Sequence, residues 1–497
     1  MRADIVDLPA LGSKRAEKRV LLVHSPIDSA SYADARQHYA PSAGLIALQT
    51  FLGKRCANTR VDLLDGALLP KAAIIDAIRR QRPNVVGQSV QQLSYANALD
   101  IARVAKEVGA LSVFGGQHAT QLAGEIVANQ HTIVDAVIRH DGEIPLALIC
   151  QGVPIAQIAN ATYWADGVHH NAAVEWNLDM YPAPEYGGVD LTPYIDCYTS
   201  RLSFGTPHTF LRTHSHRGCG NRNGTHACDF CGRADIAVRF KTPGKFVDEL
   251  GELRQRWGAD AVFDTGDDIA YSVPWLREVA ERVEASGLLL ELGCFGRACR
   301  LRDPEVAHLL KRIGVTNIII GFESGDPDLL RRCGKGGVTP EDNLLAAANL
   351  FDNGIDVCAS YVIGLAGESE VSLRKTFENA QRLLDLALKR LGRKPYELVA
   401  NFFEPSPGSP AFRRLKQAYP EKYEGTDMID LEEAQADYFR IHWNLPSESS
   451  VSEFRSWLVE WGRRLNSLTV EADHQGFRKD EVRAQVENRV ADGGMAA

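Results

Sequence analysis

The sequence predicts an α/β protein of three parts, and three observations along its 497 residues support this prediction. Strand and helix patterns alternate through residues 1–150, which is typical of a doubly wound, Rossmann-like domain. After a connection at 151–205, six further strand–helix units at 206–410 predict a partial (β/α)6 barrel. Residues 411–497 are polar with helical periodicity, so we expect a helical C-terminal extension.

Composition and charge exclude several classes of protein. The chain is 45% hydrophobic and 24% charged, as globular proteins are, and no window of about 18 apolar residues predicts a transmembrane helix. The net charge of −9 comes without a long run of one sign, so we expect neither a nucleic-acid partner nor a membrane partner. The first residues lack the apolar run of a signal peptide, which predicts a cytoplasmic location with reduced cysteines.

Five short apolar runs predict the strands of the first domain. They are RVLLVHS (19–25), TRVDLLDG (59–66), NVVGQSV (84–90), ALSVFGG (110–116) and HTIVDAVIRHDGE (131–143). Ligands of parallel sheets bind beyond the carboxyl ends of the strands, which directs attention to 24–28, 89–94, 115–118 and 139–143. The glycines there either let a bulky ligand approach the backbone or simply form turns.

Three cysteines stand close together at the start of the second part. Cys219, Cys228 and Cys231 have the spacing C-x8-C-x2-C. Three thiolates on one loop can bind three irons of a 4Fe–4S cluster and leave the fourth iron open. A zinc site, which usually needs four protein ligands, is the alternative, and a nearby histidine could complete it: His214, His216 or His226.

The barrel strands are predicted by six apolar runs, each followed by a helix pattern. The runs are HTFLRTHS (208–215), DAVFDTGDD (260–268), LLLELGCFG (288–296), TNIIIGFESG (316–325), DVCASYVIGLAGE (356–368) and YELVANFFEP (396–405). Catalytic groups of barrels lie at the carboxyl ends of strands, where Asp267, Asp268, Arg297, Glu323 and Gly364 fall. The two aspartates either belong to this site or cap the helix that follows.

Several segments together resemble the radical S-adenosylmethionine (SAM) superfamily, and more narrowly its cobalamin-dependent enzymes. PSAGLIALQTFL, FGGQHATQLAGEIV and DAVIRHDGEIPLALI are similar to the family's cobalamin-binding domain, and GFESGDPDLLRRCGKG, YVIGLAGES and EPSPGSP to its barrel motifs. The resemblance implies cobalamin, SAM and a 4Fe–4S cluster bound by Cys219, Cys228 and Cys231. The family spaces its cysteines C-x3-C-x2-C, and here Gly224 replaces the first. We interpret the loop as a lengthened one, with two cysteines and His226 as the alternative ligand set.

The resemblance also implies roles for individual residues. Phe230 lines the adenine region of SAM, Arg297 pairs with its carboxylate, and Glu323 accepts hydrogen bonds from its amino group or ribose. The backbone at Gly364 approaches adenine, and a purely structural Arg297–Glu323 ion pair is the alternative. An Asp-x-His-x-x-Gly signature is missing, so the loop 89–95 is expected to cover the lower face of cobalt. The expected cobalamin-binding residues are Ser89, Gln91, Gln92, Leu93, Gly115, Gly116, Gln117, His118, Gly142 and Glu143.

The activity implied by the resemblance is methyl transfer from methylcobalamin to an unactivated carbon. The expected substrate is small or carrier-bound, in natural-product or antibiotic biosynthesis, and the expected electron donor is a flavodoxin or ferredoxin. A ring contraction, oxidation or cyclisation with the same cofactors is the first alternative. The second is a cobalamin-binding sensor without enzymatic activity.

Overall fold

The computed structural model describes residues 17–27, 39–201, 208–222, 227–335, 337–395 and 397–468. Gly224 and His226 lie outside the described residues, so the structure does not address the readings based on them. Within the described ranges the chain forms two sheets that consist mainly of parallel strands, followed by C-terminal helices. No helix among the described residues is both long and apolar enough to cross a membrane.

The N-terminal sheet has seven strands in the order β2-β1-β3-β4-β5-β6-β7, and β1 to β5 are mutually parallel. Strand β1 is apolar and almost wholly buried because helices cover both faces of a parallel sheet. The elements are β1 Lys18–His24, α1 Ala43–Arg55, β2 Thr59–Asp65, α2 Lys71–Gln81, β3 Val85–Ser89, α3 Tyr95–Glu107, β4 Leu111–Gly115, α4 Gln117–Gln121, α5 Ala123–Gln130, β5 Ala136–Ile138 and α6 Glu143–Gln151. The doubly wound domain predicted from the sequence is confirmed.

The segment interpreted as a connection, 151–205, contains regular structure. Two antiparallel strands, β6 Ala161–Trp164 and β7 Val168–His170, extend the N-terminal sheet beyond β5, and a helix, α7 Thr192–Arg201, follows. Pairing with β6 satisfies the backbone groups that β5 would otherwise expose at the sheet edge. Strands of three or four residues give almost no alternating pattern, which is why the sequence did not predict them.

The second sheet has six parallel strands in the order β8-β11-β12-β13-β14-β15 and forms a partial barrel. Its end strands, β8 and β15, do not pair with each other within the described part of the chain. The elements are β8 Phe210–Thr213, β9 His216–Arg217, β10 Arg239–Phe240, α8 Pro243–Trp257, β11 Ala261–Asp264, α9 Val273–Ser286, β12 Glu291–Gly296, α10 Ala298–Leu301, α11 Pro304–Arg312, β13 Val315–Glu323, α12 Pro327–Arg332, α13 Pro340–Asp352, β14 Asp356–Ile363, α14 Glu370–Leu391 and β15 Glu397–Phe402. The six predicted strand–helix units are confirmed.

Helix starts in the barrel follow the residues that favour N-caps. The side chain of Asp303 caps α11, and Thr339 caps α13 by accepting a hydrogen bond from a backbone N–H of the first turn. Helix α9 is capped by Ser272. The alternative in which Asp267 and Asp268 cap this helix is therefore wrong, because the chain runs on for several residues before the helix begins.

The C-terminal helices cover the open edge of the barrel and touch the N-terminal domain. They are α15 Pro410–Ala418, α16 Pro420–Tyr423, α17 Leu431–Trp443 and α18 Glu448–Asn466. The Asn466 side chain accepts a hydrogen bond of 2.8 Å from the backbone N–H of Ala400 on β15. Asp427, which is buried, accepts hydrogen bonds from Asn129 and Gln130 of the first domain at 2.9 and 2.8 Å. The extension thus ties the two sheets together.

Candidate functional site

A cavity of about 1130 Å³ joins the carboxyl end of the N-terminal sheet to the inside of the barrel. Seven of the ten residues expected to bind cobalamin line it: Ser89, Gln91, Gly115, Gly116, Gln117, Gly142 and Glu143. On the barrel side the lining includes Phe263, Phe295 and the rim residues Gly218, Arg233 and Asp267. Pockets for one small molecule span roughly 300–1,000 Å³, so this space suits more than one ligand.

On the N-terminal side, the floor of the cavity is formed by backbone atoms. Gly116 has a φ of +94°, and a Cβ there would lie 2.8 Å from the carbonyl oxygen of Val90 and 2.9 Å from its nitrogen. The Val90 N–H in turn donates to the carbonyl of Gly115 at 2.8 Å, which locks the ends of β3 and β4 together. A bulky ring can approach such a flat, uncharged floor closely. These residues therefore fit cobalamin.

The other three residues expected to bind cobalamin do not line the cavity. Gln92 donates instead to the carbonyl of Ile429, at 3.2 Å. Leu93 lies in the short turn after β3. His118 is buried against the ring of Tyr95 (4.7 Å between centroids), and neither ring nitrogen has a hydrogen-bond partner in the described part of the chain. Burial lowers the pKa of His118 to about 4, so its ring is neutral at pH 7.

The cysteine loop, residues 218–238, is closed at its base by the antiparallel pair β9 and β10. Glycines beside the cysteines have no room for a side chain. Gly218 has a φ of +95°, and its Cβ would lie 2.2 Å from the carbonyl oxygen of Ala237, while a Cβ on Gly220 would meet the ring of Tyr271 at 2.0 Å. The loop is therefore packed tightly where its cysteines begin.

The three thiols are half-buried near positive charge. Burial raises the pKa of both the Cys219 and the Cys228 thiol, and Arg297 acts in the opposite direction on each. Asn221 donates to the sulfur of Cys228 at 3.1 Å. Three thiols at the carboxyl end of a barrel, with cationic side chains to balance their charge, fit a 4Fe–4S cluster in donor type and location.

The thiols are not gathered as ligands in this structure. Among the described residues no three His, Cys, Asp or Glu side chains converge in the manner of a metal site, and residues 223–226 of the loop lie outside the description. His216 is a poor zinc ligand because Ser215 contacts its Nδ1 at 2.8 Å and its Nε2 accepts a hydrogen bond of 2.9 Å from the backbone N–H of Asp268. His214 lines the cavity.

Three of the four residues expected to bind SAM lie at the carboxyl ends of β12, β13 and β14: Arg297, Glu323 and Gly364. The fourth, Phe230, lies in the cysteine loop, and none of the four lines the cavity. Glu323 ends β13 in the left-handed conformation (φ +59°), which aims its buried side chain at Lys335: the Nζ–Oε1 distance is 2.9 Å. The reading of Arg297 and Glu323 as a structural pair is therefore wrong. Arg297 precedes α10, half-buried beside Asp268, whose pKa burial raises to about 6 although Arg297 opposes the shift.

Lys335 is a site residue that the sequence analysis missed. It lies next to Cys228 as well as Glu323, and these two groups raise its pKa although burial lowers it. The signal was present in the motif GFESGDPDLLRRCGKG, where a lysine between two glycines follows α12 and turns back toward β13.

Gly364 and Phe230 are the other two residues expected to bind SAM. Gly364 has a φ of +91°, and a Cβ there would lie 3.3 Å from the ring of Phe439. The buried carboxylate of Glu368 accepts hydrogen bonds from the backbone N–H groups of Gly364 and Leu365, and burial raises the pKa of Glu368 to about 8. Phe230 packs on the barrel core.

Comparison with known families matches both halves of the chain. The B12 binding domain matches residues 32–149, and the Radical SAM superfamily matches residues 215–380. An uncharacterized methyltransferase of Pyrococcus horikoshii is 24% identical over 379 residues, 73% of this chain and 78% of the relative. Bacteriochlorophyllide d C-12(1)-methyltransferase of Chlorobaculum tepidum is 23% identical, with 81% of this chain and 79% of the relative covered. An anaerobic magnesium-protoporphyrin IX monomethyl ester cyclase of Rubrivivax gelatinosus is 23% identical, with coverage of 73% and 65%.

Two solved structures share the whole fold. The radical SAM methyltransferase TsrM of Kitasatospora setae, with cobalamin and a [4Fe–4S] cluster bound, superposes with a TM-score of 0.67 at 16% identity, over 96% of this chain and 100% of that one. The cobalamin-dependent radical SAM enzyme OxsB, with aqua-cobalamin bound, gives 0.66 at 14% identity, over 96% and 76%. The two matched domains imply a 4Fe–4S cluster, SAM and cobalamin as cofactors. The chain therefore joins a B12-binding domain to a radical SAM domain, and its fold is that of solved cobalamin-dependent radical SAM enzymes.

Proposed function

We propose that this chain is a C-methyltransferase that moves a methyl group from cobalamin to an unactivated carbon of a small substrate. The observation on which the proposal rests is the cavity that joins the glycine floor of the N-terminal sheet to the barrel interior. Two relatives named as methyltransferases cover most of the chain and support it. We extend the proposal to natural-product assembly and to a flavodoxin or ferredoxin as the source of electrons.

In this proposal the two walls of the site bind different cofactors. The floor at Gly115 and Gly116 holds the corrin ring by close backbone contact. Cys219, Cys228 and Cys231 bind the cluster, while Arg297 and Glu323 orient the carboxylate and amino group of SAM. When bound, the cluster and SAM supply a 5′-deoxyadenosyl radical, and cobalamin supplies the methyl group. Hydrogen-atom abstraction by this radical needs no acidic proton on the substrate, so the proposal requires no general base.

The barrel lumen is the proposed substrate site because it is not filled like an ordinary barrel core. Phe263 and Phe295 line it edge to face, with ring centroids 5.1 Å apart. The ring of Phe263 packs directly on the backbone of Gly293, since a Cβ there would lie 2.8 Å from the ring. Across the sheet Asn401 donates to the hydroxyl of Ser360 at 2.8 Å, and both line the cavity. This lining suits a small molecule with an apolar body and hydrogen-bonding groups.

The test is incubation of the anaerobically reconstituted chain with SAM, hydroxocobalamin and a reductant, followed by mass spectrometry. We expect 5′-deoxyadenosine even before the substrate is known. With candidate substrates we expect a product heavier by one methylene per methylation. If the protein retains iron and cobalamin but forms no 5′-deoxyadenosine, the proposal is wrong.

A second candidate is cyclisation or another rearrangement without methyl transfer. The relative named as a magnesium-protoporphyrin IX monomethyl ester cyclase favours it, since that protein shares 23% identity over 73% of this chain. The mass of the product separates the two functions. Formation of 5′-deoxyadenosine together with a product that gains no methylene would select this second candidate.

A further inference from the structure

The base of the cysteine loop places two arginines side by side. Arg217 ends β9 and Arg239 begins β10, and the two residues are direct partners in the antiparallel register. Each is therefore one foot of the loop 218–238. Like charges directly opposite each other on neighbouring strands repel, so this hairpin needs negative charge from elsewhere to close.

The N-terminal domain supplies that charge from a single turn. Asp141 binds both feet: its Oδ1 lies 2.7 Å from Nη1 of Arg217 and its Oδ2 lies 2.6 Å from Nη1 of Arg239. Glu143 adds a contact of 2.5 Å from Oε1 to Nη2 of Arg217. The side chains of Asp141 and Glu143 are only 5% and 3% exposed, so water does not screen these charges.

A third carboxylate, from the segment that follows the N-terminal domain, reaches the same hairpin. Oε1 of Glu175 accepts a hydrogen bond of 2.8 Å from the backbone N–H of Ala237, near the end of the loop. It also lies 3.5 Å from Nε of Arg239. The ring of Tyr181 lies under the guanidinium of Arg217, with 5.2 Å from its centroid to Cζ. The feet of the loop are thus enclosed by residues from outside the barrel.

The turn that binds the feet also borders the proposed cobalamin cradle. Gly142 stands between Asp141 and Glu143, and all three residues line the cavity. A Cβ on Gly142 would lie 3.3 Å from a methyl group of Leu48, another lining residue, so the turn is packed closely against helix α1. A ligand that orders this turn must therefore also order the two arginines that bind to it.

We propose that Asp141, Arg217 and Arg239 are positioning residues that couple occupancy of the cobalamin cradle to the conformation of the cysteine loop. Cobalamin fixes the turn 141–143, the turn fixes both feet, and the feet fix the loop that presents the thiols. Such coupling is reciprocal, so an ordered cysteine loop also tightens cobalamin binding. This inference rests on the proposed function, because it takes cobalamin and the cluster as the ligands of the two walls.

The test is hydrogen–deuterium exchange of the full chain, with and without hydroxocobalamin. We expect cobalamin to slow exchange of amides in 218–238 by about fivefold or more in the wild type. In Asp141→Asn that slowing should disappear, since a neutral amide cannot balance two guanidiniums. Arg217→Lys, which keeps the charge but not the paired geometry, should retain part of it and Arg217→Met none. Arg277→Met is the matched control, because it breaks an exposed Arg–carboxylate pair (47% and 46% exposed) on the outside of the barrel.

Three outcomes decide the inference. If the loop responds to cobalamin in Asp141→Asn as it does in the wild type, the coupling does not exist. If amides exchange fast throughout Asp141→Asn, that variant is unfolded and Arg217→Lys is used in its place. In Arg217→Lys, a slowing of exchange by cobalamin as large as in the wild type contradicts the proposal, and a smaller slowing supports it. If the wild type fails to bind hydroxocobalamin, the proposed function fails instead. The positioning role of Asp141 is then decided without ligand: faster exchange of 218–238 in Asp141→Asn than in Arg277→Met supports it, and equal exchange contradicts it.

Discussion

The two sides of the site differ in the chemical groups that they present. On the N-terminal side the backbone of Gly115 and Gly116 forms the floor, and two carboxylates there, Asp141 and Glu143, are paired with arginines. The barrel side offers thiols and paired charges, among them Glu323 and Lys335. A large ring is best held by shape, whereas a cluster and a zwitterionic ligand are held by charge. The comparison teaches that a mutation in one wall should abolish binding of one cofactor and only weaken binding of the other.

The largest effect is expected from the cysteines. Cys228→Ala should reduce bound iron and 5′-deoxyadenosine to background, because a cluster with two thiolates loses its third anchor. Cobalamin should still bind, with an affinity lowered by about fivefold, because the proposed coupling to the cysteine loop is reciprocal. Cys299→Ala, which removes another half-buried thiol, is the control and should keep its iron. Equal iron in both variants would show that Cys228 is not a ligand.

The second-largest effect is expected at the glycine floor, where a mutation should weaken cobalamin binding but not iron binding. Gly116→Val should weaken hydroxocobalamin binding about a hundredfold, or about 2.7 kcal/mol, since its side chain meets the Val90 backbone and the cavity. Iron content should not change. Gly109→Val is the matched control because Gly109 also has a positive φ but open space around it. Titration followed by visible absorption measures both, and equal losses would contradict the role of the floor.

A smaller effect is expected where Glu323 meets SAM. Glu323→Gln should weaken SAM binding about tenfold, or about 1.4 kcal/mol, because the carboxylate that accepts hydrogen bonds becomes a neutral amide. Cobalamin affinity should be unaffected. Glu305→Gln, which removes the carboxylate of an exposed pair with Arg277, should change neither. Calorimetric titration with SAM is the measurement, and unchanged affinity in Glu323→Gln would remove this residue from the site.

The smallest expected effect is a pH dependence of stability that comes from Glu368. Burial raises the pKa of Glu368 to about 8, above its ordinary 4.5, so the folded state binds this proton more tightly than the unfolded state. Stability therefore falls as the pH rises between these values, by at most about 1.4 kcal/mol per pH unit. Glu368→Gln should flatten the decline between pH 6 and 7 in denaturant unfolding. A variant that declines as steeply as the wild type would show that another group is responsible.

Local patterns were enough to predict most of the fold. Strands such as β1 and β13 are long, apolar runs between clear helix signals, and Asp303 and Thr339 cap their helices as their positions indicate. The strands β6 and β7 were not predicted because they are too short to show an alternation of apolar and polar residues. The glycine floor was predictable because Gly115-Gly116 follows a strand directly.

Contacts between distant residues could not be predicted from the sequence. Asp141 lies 76 residues from Arg217 and 98 from Arg239, so nothing local indicates that they meet. Lys335 reaches Glu323 only because α12 turns the chain back toward β13. Likewise Gln92, Leu93 and His118 were grouped with the cavity by their neighbours in sequence, although the helical turns that follow β3 and β4 direct them elsewhere.

The central claim is that one cavity brings cobalamin to the cysteine loop. The most direct measurement is a crystal structure of the reconstituted chain, with anomalous scattering recorded at the iron and cobalt edges. We expect iron at Cys219, Cys228 and Cys231, and cobalt in the cavity above Gly115 and Gly116. Cobalt bound elsewhere, or a loop without iron beside an occupied cradle, would contradict the account.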